Sequence, residues 1–144
     1  SPTGERRLRG YRDALRKAGI SPDPQLVVRG AWSTESGYEA GRQLLALNIP
    51  FTCVLAANDD MAIGLAKAFQ DAGKSVPGEI SLAGFDDSVI GKYYTPSLTT
   101  IHVPMDEMIR DAVEILLHPD EKTVFSHQGT LVSRDSVARR VDAE

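Results

Sequence analysis

The stretch VLAANDDMAIGLAKAFQDAGKSVPGEISLAGFDD, from Val54 to Asp87, leaves this chain few folds to choose from. A short apolar run, Val54 to Ala57, stops at Asn58-Asp59-Asp60. Apolar residues then recur at helical spacing through Met61, Ile63, Leu65, Ala66 and Phe69. After Ala72-Gly73 and the Val76-Pro77-Gly78 turn, a second apolar run from Ile80 to Phe85 stops at Asp86-Asp87. Strand, helix and strand in that order predict a βαβ unit. In open parallel sheets ligands bind just outside the carboxyl ends of the strands, so Asn58 and Asp86 stand at the expected edge.

The rest of the chain repeats the alternation. A helix is expected from about Gly4 to Ala18, with Thr3 as N-cap, Leu8, Tyr11, Ala14, Leu15 and Ala18 on one face, and Gly19 as its stop. The basic residues around that face read as a solvated surface, with Arg7 the exception to consider. After the Ser21-Pro22-Asp23-Pro24 turn, Leu26-Val27-Val28 predicts a strand ending at Gly30. Ser33 or Thr34 then caps a helix to about Leu47. That places Ala31-Trp32 in a loop on the same edge as Asn58. Ser88 to Thr95 shows no clear period and carries the adjacent aromatics Tyr93-Tyr94. Leu98 to Val103 predicts a strand, and Pro104 suits the first turn of a helix through Met105, Met108, Ile109, Ala112, Val113, Leu116 and Leu117, ended by His118-Pro119. A last strand near Gly129 to Ser133 and a charged tail, Arg134 to Glu144, complete an α/β layered sheet.

Composition removes several function classes. With 144 residues, the chain suits one ordinary domain, and a net charge of −4 gives it no general attraction to nucleic acid phosphate. Any DNA contact is expected to come from elsewhere. Apolar runs fall short of the roughly 20 residues that span a bilayer, and the start SPTGERRLRGYRD lacks the apolar core of a signal peptide. Cys53, the single cysteine, lies in an apolar strand, where a buried inert thiol and a reducing cytoplasm are expected.

No catalytic constellation emerges. His102, His118 and His127 lack metal-ligand spacing, neither GxGxxG nor a P-loop lysine motif follows a strand, and no cofactor or metal is expected. The pairs Asp59-Asp60 and Asp86-Asp87 are each expected to supply one ligand contact and one helix cap. Trp32 fits either a core anchor or a platform for a flat ring. An indole beside Asn58, Asp86 and an arginine suits a polyhydroxylated ring, whose apolar face the indole covers while the polar groups take the hydroxyls.

The blocks RRLRGYRDAL, GAWSTESGYEAGRQLL, AANDDMAIGLAKAFQDAGKSVPGEISLAGFDD, YYTPSLTTIHVPMDEM and LVSRDSVARR, in this order and spacing, resemble the lac/gal repressor (LacI/GalR) family of transcriptional regulators over nearly the whole chain. The resemblance implies a parallel-sheet three-layer sandwich, the carboxy-terminal subdomain of a type I periplasmic-binding-protein-like fold. It implies effector contacts at Arg7, Trp32, Asn58 and Asp86, and a homodimer interface at Ile63, Tyr93 and Tyr94. By the same resemblance residues 1–103 form the effector subdomain, 104–123 a crossover helix belonging to the other subdomain, and 124–144 a return strand and tail. The DNA-binding headpiece and first subdomain, through which operator DNA would be bound, are not in this sequence. The crossover helix is therefore expected to repack, swap or fray. Val103 stands where sugar-binding members often carry a polar side chain. The implied function is a cytoplasmic, dimeric, non-enzymatic sensor of a sugar-like effector. The alternatives are a periplasmic sugar-binding transport protein, and a small α/β enzyme using Asp59 or Asp86 as base.

Overall fold

The computed structural model describes residues 1–119 and 123–139. In chain order the elements are α1 (Pro2–Lys17), a 3₁₀ turn (Pro24–Leu26), α2 (Thr34–Ala46), β1 (Cys53–Leu55), α3 (Asp59–Asp71), β2 (Ser81–Ala83), α4 (Val89–Tyr93), β3 (Thr100–His102), α5 (Met105–Leu117) and β4 (Thr130–Val132). The expected βαβ unit is present. Strands β1 and β2 run parallel in the register Cys53–Ser81, Val54–Leu82 and Leu55–Ala83, and α3 starts where Asn58 Oδ1 accepts the Met61 N–H at 3.0 Å. That contact satisfies one of the donors a helix leaves orphaned in its first turn.

Strand β3 is stitched beside the end of β2 by parallel bridges at Ala83–Thr99 and Asp86–His102. The Gly84 N–H reaches the Thr99 O and the Asp86 N–H the Ile101 O, both at 2.9 Å. Strand β4 then pairs antiparallel with β3. The residues read as a charged tail are partly built into this sheet. Ser136 is 1% exposed; its hydroxyl donates to the Leu82 O at 2.6 Å and accepts the Thr99 N–H at 2.8 Å, while its carbonyl takes the Leu82 N–H. Residues 140–144 lie outside the described part.

The core forms around α3. Met61, Leu65, Ala66 and Phe69 are buried against Ala40 and Leu44 of α2 and against Ala56, Ile80, Leu82 and Leu98. Each large side chain among them contributes about 1.5–3 kcal/mol of burial. Helices α2 and α3 cross almost backbone to backbone. A Cβ on Gly64 would stand 2.0 Å from the Thr34 O and 2.5 Å from the Tyr38 N, and one on Gly37 would stand 2.2 Å from the Met61 O.

Several local expectations are corrected. Ser1, not Thr3, caps α1, its hydroxyl accepting the Gly4 N–H at 3.2 Å. Leu26 to Gly30 is not a strand: Asp23 Oδ1 accepts the Gln25 N–H at 2.8 Å and Pro24 opens a 3₁₀ turn that takes Leu26. Cys53 is exposed rather than buried. The segment without a period contains α4, whose cap Ser88 accepts the Gly91 N–H at 3.3 Å; five residues are too few to reveal a helical repeat. Helix α5 is formed as expected but has no buried residue, leaving Met105, Ile109, Val113, Leu116 and Leu117 exposed.

The helix crossing predicts a contrast between two glycines. Gly64→Ala forces a methyl into fixed backbone, and a loss of about 3 kcal/mol or outright failure to fold is expected. Gly10→Ala, with nothing within 4 Å of the new methyl on α1, should gain roughly 0.5–1 kcal/mol. Urea titrations of the two variants check both signs.

Candidate functional site

The carboxyl ends of β1 and β2 and the loop before α2 converge on one guanidinium. Arg7 projects from α1, donates through Nη1 to the Ala57 O and through Nη2 to Asp86 Oδ1 at 3.2 Å. Its Cζ lies 3.6 Å from the centroid of the Phe85 ring and 5.3 Å from that of Trp32. A flat, weakly hydrated cation stacks on aromatic faces in this way while its edge still donates. Arg7 thus joins the loop after β1, the loop after β2 and the Trp32 loop.

The four expected effector residues are brought together in unequal roles. Trp32 is half-buried, and its ring lies against α1, where a Cβ on Gly4 would meet it in ordinary van der Waals contact at 3.5 Å. Asn58 is buried, with Oδ1 capping α3 and Nδ2 donating to the Trp32 O at 3.1 Å. Its side chain fixes the loop that carries the indole. Asp86 keeps 46% of its side chain exposed, and among the described residues its Oδ2 takes no hydrogen bond. Burial pushes the Asp86 carboxyl above the usual range, opposed by the charge of Arg7 and reinforced by Asp59 and Asp60.

Backbone conformation marks the same place. Four non-glycine residues among those described have positive φ: Trp32 at 66°, Asn48 at 53°, Asp86 at 109° and Asp87 at 56°. Asn48 follows the end of α2, where a left-handed residue is routine. The other three sit at this edge, and each left-handed non-glycine residue costs on the order of 1–3 kcal/mol that its surroundings must offset.

The expected ligand-plus-cap division of the aspartate pairs is corrected. Asp59 is 1% exposed and accepts the Ser88 N–H at 2.7 Å and the Thr100 hydroxyl at 2.6 Å, while Asn58 is the cap. Asp87 accepts from Arg134 Nη2 at 2.6 Å and lies 2.9 Å from His102 Nδ1; Ser88 caps α4. The Arg134 hydrogen bond chiefly holds the Asp87 carboxyl below its ordinary range, with His102 adding to the effect. Phe85 and Arg134 escaped the sequence reading. Phe85 was legible as an aromatic at a strand end beside Asp86, whereas nothing local connects Arg134 to position 87.

The residues assigned to an interface do not behave alike. Ile63 and Tyr94 are half-buried and line one shallow apolar recess with Ala66, Val76 and Pro96. Tyr93 is 75% exposed. Among the described residues no cluster of His, Cys, Asp and Glu could hold a metal ion, and no helix is long and apolar enough to cross a membrane.

Residues 1–137 match the family described as periplasmic binding protein-like domain. The HTH-type transcriptional regulator AscG of Escherichia coli (strain K12) is 39% identical over 141 residues, covering 95% of this chain and 42% of the relative. A solved complex of the transcriptional regulator CelR with cellobiose superposes with a TM-score of 0.85 at 31% identity, over 90% of this chain and 41% of that one. The lac repressor dimer bound to operator and the anti-inducer ONPF gives 0.85 at 30% identity, over 96% and 49%. The chain therefore spans about two-fifths to one-half of the length of these regulators. With its blocks in their order, its α/β fold in their shape and its match running from residue 1 to 137, the chain belongs to the periplasmic binding protein-like domain family, in the LacI/GalR branch.

Proposed function

We propose that this chain is the effector-binding and dimerisation region of a LacI-type transcriptional repressor that responds to a sugar or related small metabolite. The carrying observation is the Arg7–Asp86 pair at the strand edge, with the Arg7 guanidinium over the rings of Phe85 and Trp32. Among the described residues Asp86 Oδ2 takes no hydrogen bond, and its side chain is 46% exposed, so this oxygen is open to a ligand hydroxyl. Hydrogen bonds to charged groups contribute about 1.5–3 kcal/mol each. The indole would cover an apolar sugar face, and Asn58 would act mainly by holding the Trp32 loop.

In this reading residues 1–103 are one jaw of a cleft, residues 104–123 cross to a second jaw outside this chain, and residues 124–144 return. The exposed apolar side of α5 fits such a crossing. Ligand would close the jaws and shift a homodimer, paired through Ile63, Tyr93 and Tyr94, between operator-competent and incompetent geometries. That shift can be no larger than the ligand's differential affinity for the two states. DNA would be held by a helix-turn-helix segment outside this sequence, in the cytoplasm, and the region itself would catalyse nothing. Regulators among the relatives favour this reading over a transport protein.

A thermal-shift screen of sugars, sugar phosphates and purines on the full-length parent is expected to yield a sugar-class hit. Asp86→Ala and Arg7→Ala should abolish the response to that ligand while operator binding persists; a normal titration by both would remove the site. Affinity should be full above the Asp86 pKa and weaken as pH falls through it, because only the ionised carboxylate accepts two hydroxyls. For the interface, light scattering should report a dimer that Tyr94→Asp splits, and a monomer at high concentration would remove it.

A further inference from the structure

We propose that Arg134 is a positioning residue for Asp86: it clamps Asp87 and so fixes the left-handed Asp86-Asp87 turn that delivers the Asp86 carboxylate to Arg7. The proposal rests on the reading of Asp86 as a ligand contact. Two consecutive non-glycine residues at positive φ persist only where the surroundings over-determine them. Locally the turn has the Asp86 N–H to Ile101 O bond at 2.9 Å and a longer one from the Asp87 N–H to Thr100 Oγ1 at 3.3 Å. The short contact is the one from Arg134 Nη2 to Asp87 Oδ1, at 2.6 Å.

Arg134 is itself immobilised, as a positioning group must be. It is 15% exposed, and Nη1 donates to the Leu98 O at 2.9 Å. Its backbone N–H donates to Thr99 Oγ1, and its carbonyl accepts from the same hydroxyl. The next two residues both donate backbone N–H groups to the Ser97 O at 3.0 Å. The second oxygen of Asp87 meets His102 Nδ1 at 2.9 Å, so the clamp also reaches the last residue of β3, one position before Val103-Pro104. A guanidinium fork holding a carbonyl and a carboxylate at once has no lysine equivalent.

Amide hydrogen exchange on this chain tests the clamp. In Arg134→Met the protection of the Asp86 and Asp87 amides should fall at least tenfold, while Leu65 and Phe69 in α3 keep theirs within a factor of about three. Arg134→Lys should recover only part. In the unaltered chain, protection at both aspartates should drop as pH falls through the lowered Asp87 pKa, because the protonated carboxyl releases Arg134; Arg134→Met should lose that pH dependence. Ser136→Ala, which removes the buried hydroxyl that donates to the Leu82 O of β2, should loosen Leu82 yet keep the pH profile at the turn. Unchanged protection at Asp86 and Asp87 in Arg134→Met, or an equal loss at every amide, overturns the proposal. In a full-length parent that binds a sugar from the screen, Arg134→Met should weaken binding about tenfold, and wild-type affinity overturns the proposal. Failure of Asp86→Ala to weaken binding instead defeats the ligand reading, and the exchange experiment still decides whether the clamp exists.

Discussion

Asp59 is a carboxylate buried at the start of α3, and the arrangement of the strand ends depends on it. Its backbone N–H donates to the Phe85 O at 2.9 Å, and its two oxygens accept from Ser88 and from Thr100. One residue therefore joins the end of β2, the start of α4 and the start of β3. Asp59 stands in the first turn of α3, where the positive end of the helix dipole offsets part of the cost of burying a carboxylate. Gly84 follows from the same contact, since a Cβ there would lie 2.1 Å from Asp59 Oδ1. With that floor in place, the chain leaves β2 through Phe85 and enters the left-handed turn at Asp86 and Asp87.

Adjacent aspartates consequently have opposite electrostatics. Asp86 faces outward with a raised pKa and an oxygen that takes no hydrogen bond among the described residues, whereas Asp87 faces the Arg134 guanidinium and the His102 ring with a lowered one. The first has capacity for a new donor. The second is saturated by the fold. A motif of two identical residues thus separates a group suited to recognition from one that supports it, and the separation is set by partners 15 and 47 residues downstream.

What was legible in the sequence was what short-range patterns encode. Helical spacing from Met61 to Phe69 predicted α3, strand ends placed Asn58 and Asp86, and the loop before a Ser33 cap placed Trp32 on the same edge. The helix pattern set Arg7 apart from a solvated basic face, and the blocks shared with LacI/GalR regulators gave it a place among the effector contacts. Less legible were side chains whose partners are remote. Asp59 read as half of a ligand-contact-plus-cap pair because its donors lie 29 and 41 residues away. Arg134 and Ser136 read as tail because charge density implies solvent unless a buried acceptor is known. Leu26 to Gly30 looked like a strand by composition, but the Asp23 cap and Pro24 turned the chain first. Cys53 was expected inside because an apolar run carries no label for which of its residues meets water.

The place of Ser136 and Arg134 in the sheet also bears on the order in which the molecule assembles during synthesis. Leu82 finds both its hydrogen-bond partners on Ser136, and Asp87 finds its shortest one on Arg134. Chains emerge at about 5–20 residues per second, so Ser136 follows Asp86 by roughly 2.5–10 s. During that interval the βαβ unit has its core, but one edge of β2 and the turn after it lack their partners. The strand-end cluster around Asp86 thus takes its last partners from residues far downstream in the sequence, and a ribosome stalled in this interval would hold the βαβ unit with that cluster incomplete.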